Sequence, residues 1–338
     1  PIQHRLMQAV TIDRAGGPEV LNLQEIERPA ITRPNQLLVR LKAAGINPID
    51  TKIRCAVDKF PVYLPAILGC DGAGVVEAVG DDVSDFKPGD PVYYCQCGFG
   101  GRQGNYAEYA VVDGNFVAHK PNSLSFAEAA AAPLVLITAW ESLFDRVAVK
   151  QDQTVLIHAG AGGVGHVAIP LAKHAGAKVC TTVSTPEKAD FVRKLGADKV
   201  IFYQQEDVIQ AVSEWTDGGG VDIAFDTVGG AVFEQCCACI RCYGDLVTIL
   251  QPPADVDWSE ARTRNLRISL EMMLAPTILE LSDAQRHQGN ILTRCAGLFD
   301  DGKLSITVSR TFPLSQAAQA HRHLEQDKPI GKVVLAIE

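Results

Sequence analysis

The sequence predicts an α/β protein of two domains, one rich in short β-strands and one built on a doubly wound parallel sheet. Three observations support this fold class. The chain has 338 residues, which is too many for one ordinary hydrophobic core. Short apolar runs separated by glycine and proline turns continue to about Pro121, as in a small barrel-like β domain. From Thr154 onward strands alternate with helices, which is the pattern of right-handed βαβ units.

The composition narrows the class of protein. Hydrophobic residues make up 47% of the chain and charged residues 21%, which is the balance of a folded globular protein. The net charge of −9 gives an acidic surface that repels phosphate backbones, so we expect no nucleic-acid partner. The longest apolar run, 129–140, is shorter than the roughly 18 residues that a membrane span requires, so we expect no membrane partner.

The N-terminus and the cysteines indicate a cytoplasmic location. The stretch PIQHRLMQAV lacks the basic start, the apolar centre and the cleavage site of a signal peptide. The ten cysteines are irregularly spaced in a chain long enough to need no disulfides. We therefore expect free thiols in a reducing cytosol.

The individual elements follow from local patterns. In the β-rich part the predicted strands are 37–42, 74–79 and 107–112, with turn signals at 33–35, 87–90 and 113–115. Ser125 and Glu128 form a predicted capping box that opens an alanine-rich helix. Further strands are predicted at 154–158, 178–183, 199–202, 221–226 and 246–250, with helices at 164–175 and 188–195. A helix at 279–300 and strands at 306–310 and 332–337 complete the chain.

The strongest local signal is the stretch 154–165, TVLIHAGAGGVG. Gly160, Gly162 and Gly165 satisfy G-x-G-x-x-G directly after a predicted strand and at the start of a predicted helix. The first glycine permits a tight turn, the second lets the backbone approach a pyrophosphate, and the third allows close packing of helix on strand. At the helix start, Gly163 and Val164 offer N–H groups and the positive end of the helix dipole. The stretch therefore predicts a dinucleotide-binding Rossmann domain.

The end of the next strand favours NADP(H) over NAD(H). NAD sites usually carry a carboxylate there, about 20 residues after the glycine loop, bonded to the ribose 2′-hydroxyl. Here the strand 178–183 is followed by Ser184, Thr185 and Lys188, which suit a 2′-phosphate. The alternative is that Lys188 is only a solvated helix residue.

Several motifs occur in a fixed order along nearly the whole chain. They are GINPID (45–50), LGCDGAG (68–74), VSDFKPGD (83–90), ITAW (137–140), AGAGGVG (159–165), DTVGG (226–230) and GKVVL (331–335). In this order they resemble the medium-chain dehydrogenase/reductase superfamily. Within it the chain is most similar to the zinc-free quinone oxidoreductase branch.

This resemblance implies a domain organisation and a cofactor. A GroES-like catalytic domain would comprise residues 1–124 and 276–338, and the Rossmann NADP(H)-binding domain would be inserted at 125–275, with NADPH in the cleft. The subunits would form a homodimer through their nucleotide domains, at the edge near 265–273.

The resemblance also implies contacts with the cofactor. Asn47 and Thr138 would lie near the nicotinamide. Thr227, Val228 and Gly229 would border its ribose. Tyr203 would join Lys188 at the 2′-phosphate, and Lys328 stands close to where some members place an arginine for the same phosphate.

The residues argue against a catalytic zinc, which needs three protein ligands and an open position. Zinc-dependent members of the superfamily supply a cysteine, a histidine and a further cysteine or aspartate. The corresponding residues here are Asn47, Cys70 and Leu134, and only Cys70 could bind a metal. We therefore expect Cys70 to be a thiol in the cleft, open to alkylation, and Asp71 to serve structure. Of the four cysteines that a structural zinc needs, only Cys95 and Cys97 remain.

A cysteine cluster and the histidines receive structural interpretations. The spacing C-x-x-C-x-x-C at 236–242 superficially fits an iron–sulfur cluster, but no fourth cysteine follows after a proline. The segment falls where the fold needs a helix, so we expect these cysteines to pack as small hydrophobic residues. The histidines, His158 included, form no ligand or triad pattern, so we expect structural roles for them.

The chemistry that remains is hydride transfer from NADPH to a small molecule. Without a metal, quinones and α,β-unsaturated carbonyls are suitable acceptors, because hydrogen-bond donors can stabilise the charge on their oxygen. We expect Asn47 to help position the nicotinamide or the carbonyl. The proton donor is Tyr63 or water, with Tyr94 as a further candidate. Two alternatives stay open: a zinc-type alcohol dehydrogenase with degenerate ligands, and a non-catalytic NADPH-binding protein of the zeta-crystallin kind.

Overall fold

The computed structural model describes residues 5–338. Residues 1–4, which begin the stretch where we expect no signal peptide, lie outside that range. The chain divides into two compact units. Unit 1 comprises the chain up to Leu134 together with Leu274–Gly302 and Ile306–Glu338, and unit 2 comprises Val135–Met273 with Lys303–Ser305. The predicted domain boundaries, 124/125 and 275/276, stay a prediction.

The strands and helices are numbered here in chain order. The strands are β1 (Leu6–Ile12), β2 (Asn22–Glu27), β3 (Gln36–Ile46), β4 (Ala66–Ile67), β5 (Asp71–Val79), β6 (Pro91–Cys95), β7 (Tyr109–Asp113), β8 (Val117–His119), β9 (Thr154–Ile157), β10 (Lys178–Val183), β11 (Lys199–Phe202), β12 (Val221–Asp226), β13 (Ile240–Thr248), β14 (Arg267–Leu270), β15 (Val308–Pro313) and β16 (Lys332–Ala336). The α-helices are α1 (Pro48–Cys55), α2 (Phe126–Ala131), α3 (Pro133–Trp140), α4 (Gly163–His174), α5 (Pro186–Lys194), α6 (Val208–Trp215), α7 (Ala231–Cys239), α8 (Ser259–Thr263), α9 (Ala275–Ile278), α10 (Ser282–Asp300) and α11 (Ala317–Asp327). A π-helix, Glu141–Arg146, continues α3. None of these helices is long and apolar enough to cross a membrane, within residues 5–338.

Unit 1 consists mainly of β-strands, and the last strand of the chain is part of its larger sheet. Its larger sheet has seven strands in the order β15-β16-β3-β5-β6-β8, with β7 pairing to β3, and a smaller sheet has the order β2-β1-β4. The terminal strand β16 pairs antiparallel with β3, where Val333 lies opposite Ile46. This pairing places Lys332 beside the turn into α1, nearly 300 positions away in the chain.

Unit 2 is a six-stranded parallel sheet in the order β11-β10-β9-β12-β13-β14. Its central strand β9 is completely apolar and buried from Val155 onward, as expected for a strand covered by helices on both faces. The predicted α/β fold class, a β-rich domain with a doubly wound parallel sheet, is confirmed.

Local predictions differ from the structure in a few places. The helix predicted at 279–300 begins three residues later, as α10 (Ser282–Asp300), because Glu280 adopts a left-handed φ of 53° between α9 and α10. The predicted strand 246–250 begins earlier, at Ile240, and the strand predicted at 306–310 lies at Val308–Pro313. The capping box is confirmed: the N–H of Glu128 donates to Ser125 Oγ at 3.2 Å.

The cysteine cluster is part of the core of unit 2. Cys236, Cys237 and Cys239 lie on α7 and pack in one apolar cluster with residues such as Leu156. The packing interpretation is therefore confirmed for these three cysteines. It is wrong for Cys242, which is exposed because the chain has already entered β13 at that point.

Candidate functional site

The glycine-rich turn joins the central strand of unit 2 to α4. Gly162 is the extended N-cap of this helix, and Gly163 and Val164 form its first turn. The first N–H groups of a helix have no partners within it, so they point outward together with the positive end of the helix dipole. This arrangement fits the pyrophosphate of a dinucleotide.

A hypothetical Cβ at each motif glycine shows what that glycine is for. At Gly165 it would lie 2.2 Å from the carbonyl oxygen of Ala159, and at Gly160 it would lie 2.2 Å from Thr181 Oγ1. These two glycines therefore permit close packing inside the fold. At Gly162 the nearest approach is 3.3 Å, to Ala159 O, which is a tight contact but far less crowded than at the other two glycines, so this side of the turn is more open to a ligand. The turn fits NADP(H).

The order of strands places a crevice at the end of β9. Successive strands run outward from β9 in both directions, with β10 on one side and β12 on the other. This is the topological switch point, where open α/β sheets bind ligands beyond the carboxyl ends of their strands. The glycine turn follows β9 and the segment Thr227–Gly229 follows β12, so the two segments predicted to hold the cofactor border one crevice.

Asp226, the last residue of β12, shapes that second segment. Its Oδ1 accepts hydrogen bonds from the N–H groups of Val228 at 2.9 Å and Gly229 at 2.8 Å. Its Oδ2 accepts from Thr248 Oγ1 at 3.0 Å. The tight turn requires the left-handed φ of 79° at Gly229, and it leaves the side chain of Val228 exposed. Sequence reasoning missed this role of Asp226, although the aspartate begins the DTVGG motif.

A group of donors lies at the ends of β10 and β11. Thr185 is the N-cap of α5 and accepts from the N–H of Lys188 at 3.2 Å. Lys188 Nζ donates to Ser184 Oγ at 3.4 Å. Tyr203, which is 50% exposed, follows the neighbouring strand, and its N–H donates to Val183 O at 3.3 Å. An ammonium group, two hydroxyls and a phenol thus lie at one corner of the sheet, which suits a phosphate.

Two further predicted cofactor residues lie elsewhere. Thr138 is buried on α3, and Lys328 is exposed at the left-handed C-cap of α11 with φ 42°. Thr138 belongs to unit 2 and Lys328 to unit 1. Their contacts with a cofactor stay predictions.

Asn47 belongs to a buried polar cluster in unit 1. Its N–H donates to Asp50 Oδ2 at 2.9 Å and its Nδ2 donates to Asp71 Oδ2 at 3.0 Å. Its Oδ1 accepts from Nζ of Lys332. All four side chains are buried. The amide of Asn47 is thus used within the protein, and a contact with nicotinamide or a substrate carbonyl stays a prediction.

Burial perturbs the charges of this cluster. It raises the pKa of Asp50 to about 7, an effect that the nearby Asp71 carboxylate increases. Burial also raises the pKa of Asp71 to about 6, although the charge of Lys332 opposes this shift. Burial lowers the pKa of Lys332 itself. The two carboxyl groups interact with each other and with the Lys332 amine, and they therefore take up or release protons close to neutral pH.

A second row of hydrogen bonds leads from Glu325, at the surface, inward to Tyr106. Glu325 binds Arg54 through two hydrogen bonds of 2.6 and 3.1 Å. Arg54 donates to His321 Nδ1 at 2.9 Å, and because arginine only donates, the proton of the neutral ring lies on Nε2. Nε2 lies 3.0 Å from the hydroxyl of Tyr106. Burial lowers the pKa of His321 to about 3, so the ring stays neutral at physiological pH.

The two tyrosines considered as proton donors differ in exposure. Tyr63 is 71% exposed and lines a pocket of 270 Å³ whose other walls include Ile67, Gly98 and Arg102. Tyr94 is completely buried and donates to Asn105 Oδ1 at 2.6 Å, and burial raises its pKa above the ordinary value. Tyr63 therefore remains the better candidate.

The expectation that Cys70 is a free thiol is wrong. Cys70 forms a disulfide with Cys97, and both are buried. Antiparallel pairing of β5 with β6 sets Asp71 opposite Cys95 and so brings the flanking Cys97 close to Cys70, with 4.0 Å between their Cα atoms. Cys70 is therefore closed to alkylation while the disulfide is intact. The other eight cysteines are free.

The positions that correspond to zinc ligands do not fit a catalytic zinc. The sulfur of Cys70 forms a disulfide with Cys97, and the amide of Asn47 is hydrogen-bonded to Asp71 and Lys332. The side chain of Leu134 has no ligating atom. Within residues 5–338, no group of three or more His, Cys, Asp or Glu side chains could hold a metal ion.

Comparison with known proteins gives consistent matches over the whole chain. Residues 33–122 match the family model of the alcohol dehydrogenase GroES-like domain, and residues 195–335 match that of zinc-binding dehydrogenases. A quinone oxidoreductase of Pseudomonas aeruginosa is 35% identical over 95% of this chain and 96% of its own length. A 2-haloacrylate reductase of Burkholderia sp is 32% identical over 98% of this chain and 99% of its own. The solved structure of an Escherichia coli quinone oxidoreductase complexed with NADPH has a TM-score of 0.85 at 31% identity, covering 97% of this chain and 99% of that one.

Proposed function

Because the chain belongs to the medium-chain dehydrogenase/reductase superfamily, in its zinc-free quinone oxidoreductase branch, we propose that it uses NADPH to reduce quinones and α,β-unsaturated carbonyls. The observation that carries this proposal is the phosphate corner formed by Ser184, Thr185, Lys188 and Tyr203 beside the glycine turn. It provides donors for a 2′-phosphate where an NAD site would carry a carboxylate. A relative of similar length and fold was solved with NADPH.

The names of the relatives support the acceptor class. Quinones and 2-haloacrylates share an electron-poor carbon–carbon double bond conjugated to a carbonyl or carboxyl group. When bound, NADPH supplies a hydride. The acceptor takes up that hydride and one proton, so a quinone becomes a hydroquinone and an enone becomes a saturated ketone.

The chain's own residues hold the cofactor. The N-terminus of α4 binds the pyrophosphate, the corner at Lys188 binds the 2′-phosphate, and the turn fixed by Asp226 borders the nicotinamide ribose. Asn47 acts as a positioning residue, because its side chain is bonded on both sides within unit 1.

The pocket beside Tyr63 favours neutral acceptors. Arg102, which lines it, donates from Nε to Asp113 at 2.9 Å and from Nη1 and Nη2 to Glu280 at 2.8 Å each. Two carboxylates thus face one guanidinium, and this local excess of negative charge repels an anionic substrate. If the acceptor binds here, Tyr63 can supply the proton, and quinones and enones are preferred over acrylates.

We place the working protein in the cytoplasm as a homodimer. Eight free cysteines suit a reducing compartment. The edge strand β14 and the residues after it expose Leu270 and Met272, and an apolar sheet edge of this kind favours pairing with a second copy. Cross-linking or light scattering at micromolar concentration measures this state, and a monomer would contradict the homodimer.

Steady-state oxidation of NADPH against a panel of quinones, enones and acrylates tests the function. We expect turnover with 1,4-quinones and enones, weaker turnover with acrylates, and a lower kcat for Tyr63→Phe that depends on pH. Turnover with no member of the panel would contradict the proposal and favour a protein that only binds NADPH.

A further inference from the structure

One buried imidazole at the switch point has a nitrogen that no protein group uses. His158 directly follows β9 and precedes the glycine turn, and its side chain is only 3% exposed. Within the part of the chain that the structure describes, its Nε2 has no hydrogen-bond partner. Buried polar atoms in native proteins are almost always paired, so such an atom calls for a partner from outside the chain.

The neighbours of His158 determine which ring nitrogen carries the proton. Burial lowers the pKa of His158 to about 4, although Asp226 opposes this, so the ring is neutral. The hydroxyl of Thr182 accepts from the N–H of Ala159 at 3.0 Å and lies 3.3 Å from His158 Nδ1. The hydroxyl has one hydrogen to donate, and we assign it to the hydrogen bond with Nδ1; in this tautomer the ring proton lies on Nε2. His158 thus presents a donor without an acceptor.

The backbone of His158 is fixed at the end of β9, beside the crevice. Its N–H donates to Phe225 O at 3.2 Å and its carbonyl accepts from Thr227 Oγ1 at 2.7 Å. The residue is therefore held between β10, through Thr182, and β12, through Thr227. His158 therefore contacts both turns that border the crevice. The glycine turn follows it directly in sequence, and the Thr227–Gly229 turn is joined to it by the hydrogen bond from Thr227.

We propose that His158 is a cofactor-binding residue whose Nε2–H donates a hydrogen bond to an oxygen of bound NADP(H). The inference rests on NADP(H) as the cofactor of this protein. The pyrophosphate and riboses of a dinucleotide present many acceptor oxygens, and a ligand that crosses the switch point passes over the end of β9. Nε2 is shielded from solvent in the structure, so the contact requires the ring or its neighbours to shift when the cofactor binds.

Three substitutions separate the donor from the bulk of the ring. The amide nitrogen of glutamine can reach the position of Nε2, that of asparagine reaches only the position of Nδ1, and phenylalanine keeps the shape without a donor. We expect His158→Asn and His158→Phe to raise the Kd for NADPH about tenfold, the effect of one lost hydrogen bond, and His158→Gln to stay within about threefold of wild type. Thermal unfolding without cofactor controls for folding of each variant. Equal Kd values for His158→Gln and His158→Asn would overturn the proposal.

Nitrogen-15 NMR of the wild-type protein gives a test that needs no folded variant. His321 is the matched control, because it is also buried and neutral but both its nitrogens have protein partners. On saturation with NADP⁺ we expect the His158 Nε2–H resonance to shift and its exchange with solvent to slow, while His321 stays unchanged. Saturable binding without any change at His158 would refute the role of this residue and leave the proposed function intact. Failure of the wild-type protein to bind NADP⁺ at all would instead refute the proposed function.

Discussion

Removal of the Lys188 ammonium tests the preference for NADPH. Lys188→Ala removes the side chain whose Nζ donates to Ser184 Oγ at 3.4 Å. Thr185 still caps α5, because its Oγ1 accepts from the backbone N–H of residue 188, which the substitution retains. The substitution should therefore leave the helix and the glycine turn in place. Only the charge at the phosphate corner changes.

The size of the effect follows from the kind of contact. A hydrogen bond between an ammonium and a phosphate contributes about 1.5 to 3 kcal/mol, and Lys188 is half-buried, so solvent screens it only partly. We therefore expect the Kd for NADPH to rise by about 10- to 100-fold. NADH has no 2′-phosphate, so its Kd should change less than about twofold.

Fluorescence titration with both nucleotides measures these constants. Lys194→Ala is the matched control, because Lys194 lies exposed in the last turn of the same helix. Its removal should leave both Kd values unchanged. With added salt, the affinity for NADPH should fall more steeply in wild type and Lys194→Ala than in Lys188→Ala. A loss of affinity for NADH as large as that for NADPH would refute a 2′-phosphate role for Lys188.

Three further predictions concern stability. Gly165→Ala, whose Cβ would lie 2.2 Å from Ala159 O, should lower the free energy of unfolding by about 2 kcal/mol in a denaturant titration, and an unchanged midpoint would contradict the packing described. Thiol titration of the unfolded, unreduced protein should count eight thiols, and a count of ten would contradict the disulfide. Because Cys97→Ala removes that disulfide, it should lower the free energy of unfolding by about 3 kcal/mol. The pKa of Asp50 is raised from 3.8 to about 7 on folding, so its contribution to stability is full below pH 3.8 and is lost as the pH rises through 7. Relative to wild type, the free energy of unfolding of Asp50→Asn should therefore rise by up to about 4 kcal/mol as the pH increases from 4 to 8. A difference between the two free energies of unfolding that stays constant in urea titrations over that range would contradict the raised pKa.

Much of the nucleotide unit could be predicted from the sequence because its signals are local. Gly160, Gly162 and Gly165 follow an apolar strand directly, and the geometry of the turn depends on residues within a dozen positions. The donors Ser184 and Lys188 likewise follow from the end of a single strand. Such patterns identify an element and its ligand together.

The buried cluster around Asn47 could not be predicted, because its members meet only through long-range strand pairing. Lys332 reaches Asn47 across the pairing of β16 with β3, and an isolated lysine in GKVVL gives no sign that it is buried. The disulfide was missed for a related reason. Irregular spacing in a long chain favours free thiols, and only the pairing of β5 with β6 brings Cys70 to Cys97.

The orphan nitrogen of His158 also lies beyond sequence reasoning. The residue could be placed at the end of the first strand of the nucleotide domain, but its tautomer depends on Thr182, one strand away. Its unused donor becomes visible only once every hydrogen bond around it is assigned.

The most direct test of the proposed function follows a label. NADPH deuterated at C4 of the nicotinamide, in separate preparations for each face, is incubated with the chelator-treated protein and a cyclic enone in ordinary water. We expect turnover to persist, with one deuterium at the β-carbon of the saturated ketone from one of the two labelled forms. Loss of turnover with the chelator, or a product without deuterium from either form, would contradict metal-independent hydride transfer from NADPH.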